Sequence, residues 1–523
     1  MVAGPVAKAA AAGPPSWKLT TPHNAAAQGL VVGGFGGLET GRALFVEFGW
    51  PPGTAHPGGW IAALQALAPV TNADGREARA TALAFTGTGL ARMGLDDHAQ
   101  NSFSKPFREG MFQEDRARRL GDRRGETWQG TVIAGGPQWS ANTHQPTPPD
   151  GAPTQAQSTT PITVHAVVLL YDTDEAAAET WSAAVEAALA LHDVRVVHRL
   201  PLVLDPDNMG VSREHFGFAD GLSQPAPFDA QAVTLAGVPA PADGRNSVPL
   251  GEFLIGHLNG HHEKAPGPIV PDTPASAAAG LAPHELAEGF RDLGLNGSYV
   301  VIRELRQDVA AFWRSMQKGA EAIRARDPEH SAHIDAGWIA ERVVGRSVEG
   351  HLLCPAGYLP ADRYGLPDSD FLFLDHDPQG VGCPVGAHVR RANPRDSLAP
   401  SAAMAQTLLD AANNHRILRR GRKYGPKLAD PSTDDGQDRG LLFMCLNTDI
   451  ARQFEFVQQT WLLNENFATL FDETDPLVGP AGAMTIRDTA LRRRVDVETF
   501  VQLVGGDYFF LPSLPALAYL ETL

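Results

Sequence analysis

Three short segments of the chain combine chemically reactive side chains with glycine or proline. Asp220 stands between Gly217 and Gly221 in a G-x-x-D-G pattern, and such glycines let a backbone approach a flat or bulky ligand closely. His388 precedes a group of arginines, and a neutral imidazole is a common ligand for transition metals. Arg419 lies in an arginine-rich turn and supplies a fixed cation. Acting together, the three predict a site for acid–base and metal chemistry.

Each segment also has a structural interpretation without function. The G-x-x-D-G pattern favours an ordinary Asx-type turn. The histidine segment is also typical of a partly buried imidazole beside a basic turn, and the Arg419 segment of a charged surface turn. Haem iron is a possible metal for His388, because nearby guanidinium groups suit haem propionates. A thiolate ligand at Cys354 or Cys383 stays open, whereas zinc is disfavoured because there is no C-x-x-C pair.

Composition limits the classes to which the chain can belong. Its 523 residues include 43 Lys and Arg against 60 Asp and Glu, a net charge of −17. This acidic balance argues against nucleic-acid or membrane-surface partners recognised through bulk charge. Three cysteines are too few for a disulfide framework and fit a reducing compartment. With no export signal and no run of 18 apolar residues, we expect a cytoplasmic protein.

The elements that must position these residues follow a repeated strand-then-helix order, which predicts two related α+β domains. Long Pro/Gly-rich loops are predicted at about 138–161 and 225–283, a length that is typical of loops that shape a site. The predicted strand–helix pairs are 162–171 with 175–191, 298–304 with 307–324, and 440–447 with 450–462.

Taken jointly, the three segments resemble the signature of the dye-decolourising (DyP-type) haem peroxidases. The G-x-x-D-G element is 217–221, the Ala-His element is 387–388 followed by Arg390 and Asn393-Pro394-Arg395, and the distal arginine turn is 419–421. The resemblance runs from about residue 30 to the C-terminus. Further stretches that fit the family are 83–95, 107–111, 251–256, 298–313 and 440–461.

The resemblance implies an α+β fold of two ferredoxin-like domains with facing antiparallel sheets, as in dimeric α+β barrels. It also implies one haem b per chain, held mainly by the C-terminal half, in one of the larger classes of the family. The expected organisation is a flexible segment 1–25, an N-terminal domain 26–230, connecting loops 231–290 and a C-terminal haem-binding domain 291–523.

The same resemblance assigns roles to individual residues. His388 matches the axial iron ligand, Asp220 the distal acid–base, and Arg419 the distal cation, which also contacts the cofactor. A carboxylate is expected to support the His388 imidazole, but the sequence does not choose among Asp472, Glu473 and Asp475. The expected cofactor contacts are Gly221, Leu222, Ser223, Asn393, Pro394 and Arg395, and Leu441 and Phe443 are expected to form an apolar wall of the distal pocket.

The implied activity is reduction of hydrogen peroxide coupled to one-electron oxidation of aromatic donors and dyes. An aspartate titrates near about 3.9 and a histidine near about 6.5, so an aspartate base works in acid and we expect an acidic optimum. Surface aromatic residues could relay electrons from bulky dyes, with Tyr424 and Trp461 as candidates. A haem-binding or haem-handling protein with incidental peroxidase activity is the alternative. No encapsulating partner is indicated, and an oligomer is possible.

Overall fold

The computed structural model describes residues 21–51, 53–75, 78–141, 162–206, 210–235, 245–353 and 371–523. Its centre is one sheet whose eight principal strands close into a barrel. Cys354, most of the predicted loop 138–161 and residues 1–20 of the predicted N-terminal segment lie outside the described residues. The rest of that segment begins a short helix, Thr21–Ala26.

The N-terminal half of the barrel has four antiparallel strands in the order β4-β1-β3-β2. Helix α1 follows β1 and helix α2 follows β3, which is the ferredoxin-like arrangement. Asp174 caps α2 by accepting a hydrogen bond from the Ala177 N–H at 2.8 Å. The elements are β1 (Thr40–Phe48), α1 (Gly59–Leu67), β2 (Arg79–Phe85), β3 (Ala166–Asp172), α2 (Glu175–Ala190) and β4 (Val194–Val203).

The C-terminal half repeats the arrangement with the strand order β8-β5-β7-β6. Helix α6, between β7 and β8, has π-type hydrogen bonding along most of its length, a form common near functional sites. The elements are β5 (Ser298–Gln307), α3 (Val309–Arg326), α4 (Ala336–Val344), α5 (His388–Ala392), β6 (Arg422–Tyr424), β7 (Gly440–Asn447), α6 (Ala451–Glu455 and Val457–Leu462) and β8 (Val501–Leu511).

The two halves join edge to edge and close the barrel. Along one seam β6 meets β4 at the pair Lys423 and Val203, and along the other β8 meets β2 at the pair Phe510 and Phe85. Two ferredoxin-like half-sheets therefore face each other across a common interior, which confirms the fold expected from the sequence.

Alternating side chains divide the core into layers. Phe45 of β1, Ile302 of β5 and Met444 of β7 point into the barrel, where all three are fully buried. The intervening residues point outward, because successive side chains of a strand lie on opposite faces of a sheet. On the N-terminal half, Leu44 and Val46 pack outward under the helices.

Shorter elements surround the barrel, and several lie in the predicted loop 225–283. No helix in the described ranges is both long and apolar enough to cross a membrane. Short strands are Arg123–Arg124, Thr127–Trp128, Trp139–Ser140, Ile162–Thr163, Ala226–Phe228, Ser247–Pro249, Ile269–Pro271, Phe290–Asp292, Leu418–Arg419, Gly482–Asp488 and Leu491–Val497. The remaining helices are Gly87–Arg92, Asp97–Ser102, Lys105–Glu109, Glu114–Arg119, Ala230–Leu235, Leu250–Glu252, Pro274–Ala278, Phe373–His376, Ala402–Met404, Ala405–Asn413 and Leu514–Glu521.

Candidate active site

A cavity of about 300 Å³ lies against the outer face of the C-terminal half-sheet. The outward side chains of β5, β7 and β8 form one wall, and α5 and α6 contribute to the rest. Most of the described residues that line it belong to the C-terminal half, although the loop carrying Asp220 also reaches it. Its apolar lining includes Leu305, Val344, Leu441, Phe443, Phe454, Val457, Leu477 and Val478.

His388 begins helix α5 and lines this cavity. Its Nδ1 atom lies 3.0 Å from Oδ2 of Asp475, a carboxylate that is fully buried. Burial opposes ionisation of Asp475, but the charge and hydrogen bond of His388, with the Val478 N–H, lower the pKa of that carboxyl overall. No described residue hydrogen-bonds Nε2 of His388, so this nitrogen is available to a ligand in the cavity.

The structure distinguishes the three carboxylates left open by the sequence. Asp475 contacts the imidazole, and its other oxygen accepts the N–H groups of Leu477 and Val478. Glu473 instead accepts two hydrogen bonds from Thr485, while Asp472 is exposed. Asp475 is therefore the support of His388.

Asp220 and Arg419 meet at the same cavity. Nη1 of Arg419 lies 3.5 Å from Oδ1 of Asp220, and both side chains are a little over one third exposed. The same Oδ1 accepts the Gly221 N–H at 2.6 Å. Among the described residues none donates to Oδ2, which leaves that oxygen free to exchange a proton with a ligand.

Arg419 is fixed from both sides by neighbouring segments. It lies in a short strand that pairs with β7, and its backbone forms two hydrogen bonds with the Gln224 carboxamide. Its Nη2 atom donates to the Leu222 carbonyl at 2.9 Å. The guanidinium is therefore held beside Asp220 by the chain that immediately follows the G-x-x-D-G turn.

The remaining predicted cofactor contacts divide into two groups. Leu222, Ser223, Asn393 and Arg395 line the cavity, and Leu441 and Phe443 lie on its β7 wall. Gly221 and Pro394 are not lining residues; Gly221 has a φ of 80° and shapes the Asp220 turn instead. Cys383 is fully buried and also does not line the cavity.

Known proteins resemble this chain in sequence. A profile described as "Dyp-type peroxidase, C-terminal" matches residues 286–470. The multifunctional dye peroxidase DyP2 of Amycolatopsis sp. (strain ATCC 39116 / 75iv2) is 30% identical over 69% of this chain and 71% of its own length. The chain belongs to the dye-decolourising peroxidase family. This peroxidase is also 27% identical to a dye-decolorizing peroxidase of Mycena epipterygia, over 86% of this chain and 77% of the relative.

Solved structures of the family share the fold of this peroxidase. The Anabaena sp. DyP-type peroxidase AnaPX is 22% identical with a TM-score of 0.67, covering 96% of this chain and 95% of its own. A dye-decolorizing peroxidase in complex with 2,6-dimethoxyphenol is 22% identical with a TM-score of 0.65, covering 96% and 99% of the two chains. Family membership makes the chain an oxidoreductase of a haem-binding family.

The cavity of this peroxidase fits a haem in the chemistry of its lining. His388 offers a free imidazole nitrogen among apolar side chains, and three nearly buried arginines, Arg346, Arg395 and Arg416, supply positive charge for acidic substituents. Arg346 and Arg416 also hydrogen-bond Ser223, through its hydroxyl and its carbonyl respectively. A flat apolar group with carboxylates would meet complementary surroundings here.

Several cavity residues of this peroxidase were not found from the sequence. Arg303 of β5 forms a buried ion pair of 2.6 Å with Asp122, and Glu214 and Gln307 line another part of the wall. Arg303 and Gln307 carry a readable signal, since they share the outward face of β5 with Leu305. Asp122 carries no such signal in the sequence, because Arg303, its ion-pair partner, is 181 residues away along the chain.

The two aromatic residues proposed as surface relays are both buried. Trp461 is 5% exposed and Tyr424 is 3% exposed, so the expectation that they are surface groups is wrong. Trp461 packs edge-on against His415, which lines the cavity, with ring centroids 5.3 Å apart. Tyr424 belongs to the interior layer of the barrel.

Proposed function

We propose that this peroxidase binds one haem b and that His388 is its axial ligand. The observation that carries the proposal is that the Asp475-supported imidazole and the Asp220–Arg419 pair line one cavity. A hydrogen bond from a buried carboxylate fixes the orientation of an imidazole and increases its basicity as a ligand. Leu222, Ser223, Asn393 and Arg395 would contact the cofactor, and Arg346 and Arg416 would neutralise its propionates.

When bound, haem supplies the redox centre for the two-electron reduction of peroxide. Hydrogen peroxide takes up two electrons and two protons and yields two molecules of water. Two aromatic donors each give one electron. The protein must therefore move a proton between the two peroxide oxygens and stabilise the charge that develops on the leaving oxygen.

Asp220 is suited to move that proton. Its Oδ1 atom is held by the Gly221 N–H and Arg419, while Oδ2 stays available to take a proton from one peroxide oxygen and return it to the other. Arg419 keeps its positive charge throughout and, being fixed by Leu222 and Gln224, requires little reorganisation to stabilise the leaving hydroxide.

We propose aromatic donors, including phenols and dyes, and an acidic optimum. The solved neighbour that holds 2,6-dimethoxyphenol supports the phenolic class. A carboxylate base supports the acidic optimum, because it keeps its charge where a histidine base would be protonated. Electron relay through Trp461 stays a prediction, tested by dye turnover of Trp461→Phe.

A haem-handling protein is the second candidate and has less support. Haem carriage needs neither a free carboxylate oxygen nor a cation fixed beside it. Both are present at the cavity, and the relatives aligned over most of this chain are named as peroxidases.

The test compares the wild type with His388→Ala, Asp220→Asn and Arg419→Leu. We expect the Soret band of the purified protein to be lost or shifted in His388→Ala. We expect the peroxide-induced Soret change to slow in the other two variants while haem content stays normal. Normal haem with an unchanged peroxide reaction in both would favour haem handling, and absence of haem from the wild type would refute the proposal.

We propose a cytoplasmic location and no nucleic-acid partner. The sparse cysteines support the first and the net charge of −17 supports the second. Cell fractionation with an antibody against the chain tests the location. Retention on a DNA or heparin column at low salt would contradict the second point.

A further inference from the structure

Glu214 lies in the cavity wall six residues before Asp220 and is enclosed by hydrogen-bond donors. Its two carboxylate oxygens accept the N–H groups of Phe216 at 2.8 Å and Phe218 at 2.9 Å. The backbone of the same turn closes around it, since the Glu214 N–H donates to the Phe218 carbonyl at 3.0 Å. Glu214 thus holds the turn that presents Asp220.

A third donor reaches Glu214 from the barrel. Nε2 of Gln307, at the end of β5, donates to Oε2 of Glu214 at 2.9 Å. Gln307 is 7% exposed, and its Oε1 atom is buried with no hydrogen-bond partner in the part of the chain that the structure describes. A carboxamide that rotates by half a turn exchanges donor for acceptor. Gln307 can therefore serve either an ionised or a protonated Glu214.

We propose that Glu214 and Gln307 form a proton-linked pair that sets the charge beside Asp220. In acid, Glu214 is neutral and donates its proton to Gln307 Oε1. Asp220 is then the only negatively charged side chain of the turn formed by residues 214–220. In alkali, Glu214 is ionised and adds a second negative charge. The inference rests on the proposed role of Asp220: Glu214 holds the turn that presents Asp220, and its charge acts on the leaving oxygen.

The surroundings of Glu214 support a proton exchange near neutral pH. Burial, with a smaller contribution from the charge of Asp220, raises the pKa of Glu214 to about 7 against the Phe216, Phe218 and Gln307 donors, which lower it. On its own loop, Arg213 and His215 engage other partners, Val348 and Tyr424. The other charged or titratable groups that line the cavity are Asp122, which pairs with Arg303, and Arg346, His388, Arg395, His415, Arg416 and Arg419.

The pair would narrow peroxide reduction to acidic and neutral pH. Asp220 takes up one proton and later gives it back, so a change in its basicity that favours the first transfer disfavours the second by the same amount. The negative charge that develops on the leaving oxygen has no such compensation, and the negative charge of ionised Glu214 disfavours it. We therefore expect the peroxide rate constant to fall about two- to tenfold above roughly pH 7.

Glu214→Gln is the informative variant, because an amide resembles the protonated acid in shape and charge. We expect its peroxide rate constant to match the wild type at about pH 5 and to lose the fall above pH 7. The matched control is Glu349→Gln, which removes an exposed carboxylate paired with Arg213 on the outside of the same loop. A rate lowered equally at every pH would show a purely structural role and overturn the proposal.

A second readout does not depend on turnover. A glutamate in the unfolded chain ionises near about 4.3, below the folded group, so stability due to Glu214 falls as pH rises between the two values. We compare the melting temperatures of haem-loaded Glu214→Gln and wild type at pH 4.5 and at pH 8. Their difference should shift by about 3 °C in favour of the variant from the lower to the higher pH. Glu349→Gln should show no such gain, and an equal slope in all three proteins would refute the proton exchange.

Gln307→Leu keeps the proposal testable if Glu214→Gln does not fold. The substitution removes the Nε2 donor of ionised Glu214 and the Oε1 acceptor of protonated Glu214. The bond to the ionised carboxylate is charge-assisted and therefore the stronger of the two, so the midpoint of both pH profiles should move to higher pH. An unmoved midpoint would refute the pairing. Failure of the acid–base role itself is distinguishable, because Asp220→Asn would then leave the peroxide reaction unchanged while the melting profiles still reported on Glu214.

Discussion

On β1 of the N-terminal half, the outward residues Leu44, Val46 and Phe48 pack into an apolar layer that α1 and α2 cover. On β5, which holds the same place in the C-terminal half, the outward residues include Arg303, Leu305 and Gln307, which face a cavity. The strand order and helix placement are the same in both halves. The fold therefore permits a site on either outer face, and the outward residues of the sheet decide which face carries it.

The largest effects should come from the two polar groups that distinguish the C-terminal face. We expect Asp220→Asn and Arg419→Leu each to lower the rate constant for peroxide reduction by about 10²–10³-fold, because they remove the proton carrier or the cation. Stopped-flow Soret absorbance with stoichiometric peroxide measures this. Equal rates in wild type and both variants would mean that the cavity does its chemistry with other residues.

A core substitution on the other face should separate stability from activity. Leu44→Ala removes a fully buried side chain and should lower the free energy of unfolding by about 2–5 kcal/mol. Activity per folded, haem-loaded molecule should stay within about twofold of wild type, since Leu44 is remote from the cavity lining. Urea unfolding and turnover normalised to haem measure the two quantities. A large loss of normalised turnover would show that the halves are coupled.

Acid should destabilise the N-terminal half at His165, which is the opposite of its expected effect at Glu214 in the cavity wall. His165 in the N-terminal half accepts the Phe48 N–H at Nδ1, and burial, with a smaller effect of Arg92, lowers its pKa to about 4. This pKa lies below the ordinary histidine value of about 6.5. His165 therefore contributes about 3 kcal/mol to the free energy of unfolding above about pH 6.5, and this contribution is lost as pH falls towards 4.

The variant His165→Asn keeps an acceptor for Phe48 but cannot be protonated. We expect its free energy of unfolding to fall less than that of the wild type between pH 7 and pH 4. His192→Asn, at an exposed histidine, should behave as the wild type. Urea titrations at the two pH values decide the point. Parallel losses in all three proteins would exclude His165 as an acid-sensitive group.

The smallest effect should come from the support of the imidazole. Asp475→Asn leaves the imidazole in place but weakens its orientation, and we expect haem affinity to fall about 10–100-fold. Glu473→Gln is a close control, because Glu473 bonds Thr485 and not His388. Haem transfer to apomyoglobin measures the loss. Equal transfer rates in the two variants would remove Asp475 from its assigned role.

Much of the site was readable from the sequence because its residues lie in short motifs. Asp220, His388 and Arg419 each carry local glycine, proline or arginine patterns. Asp475 could not be chosen, because Asp472 and Glu473 are neighbours of the same type and the choice depends on the path of a loop. Glu214 carries no local pattern of its own, because its place in the site depends on a turn that folds back onto its side chain.

The fold, like the site, could be predicted only in part from the sequence. Strand and helix periodicity predicted β7 at 440–447 and the helix that follows it, but nothing in that pattern specifies π-type hydrogen bonding in α6. The repeated α+β rhythm indicated two halves. Their closure could not be predicted, because it depends on isolated contacts such as Lys423 with Val203 between distant segments.

Those two seams give the barrel a built-in order of opening. Each seam is held by one paired position, whereas strands inside a half pair over seven or more positions in β1 with β3 and β5 with β7. Amide protons along the seams should exchange with solvent before those of the half-sheets. The halves would separate as two intact sheets, because the strand pairing within each half is still in place when the seams open.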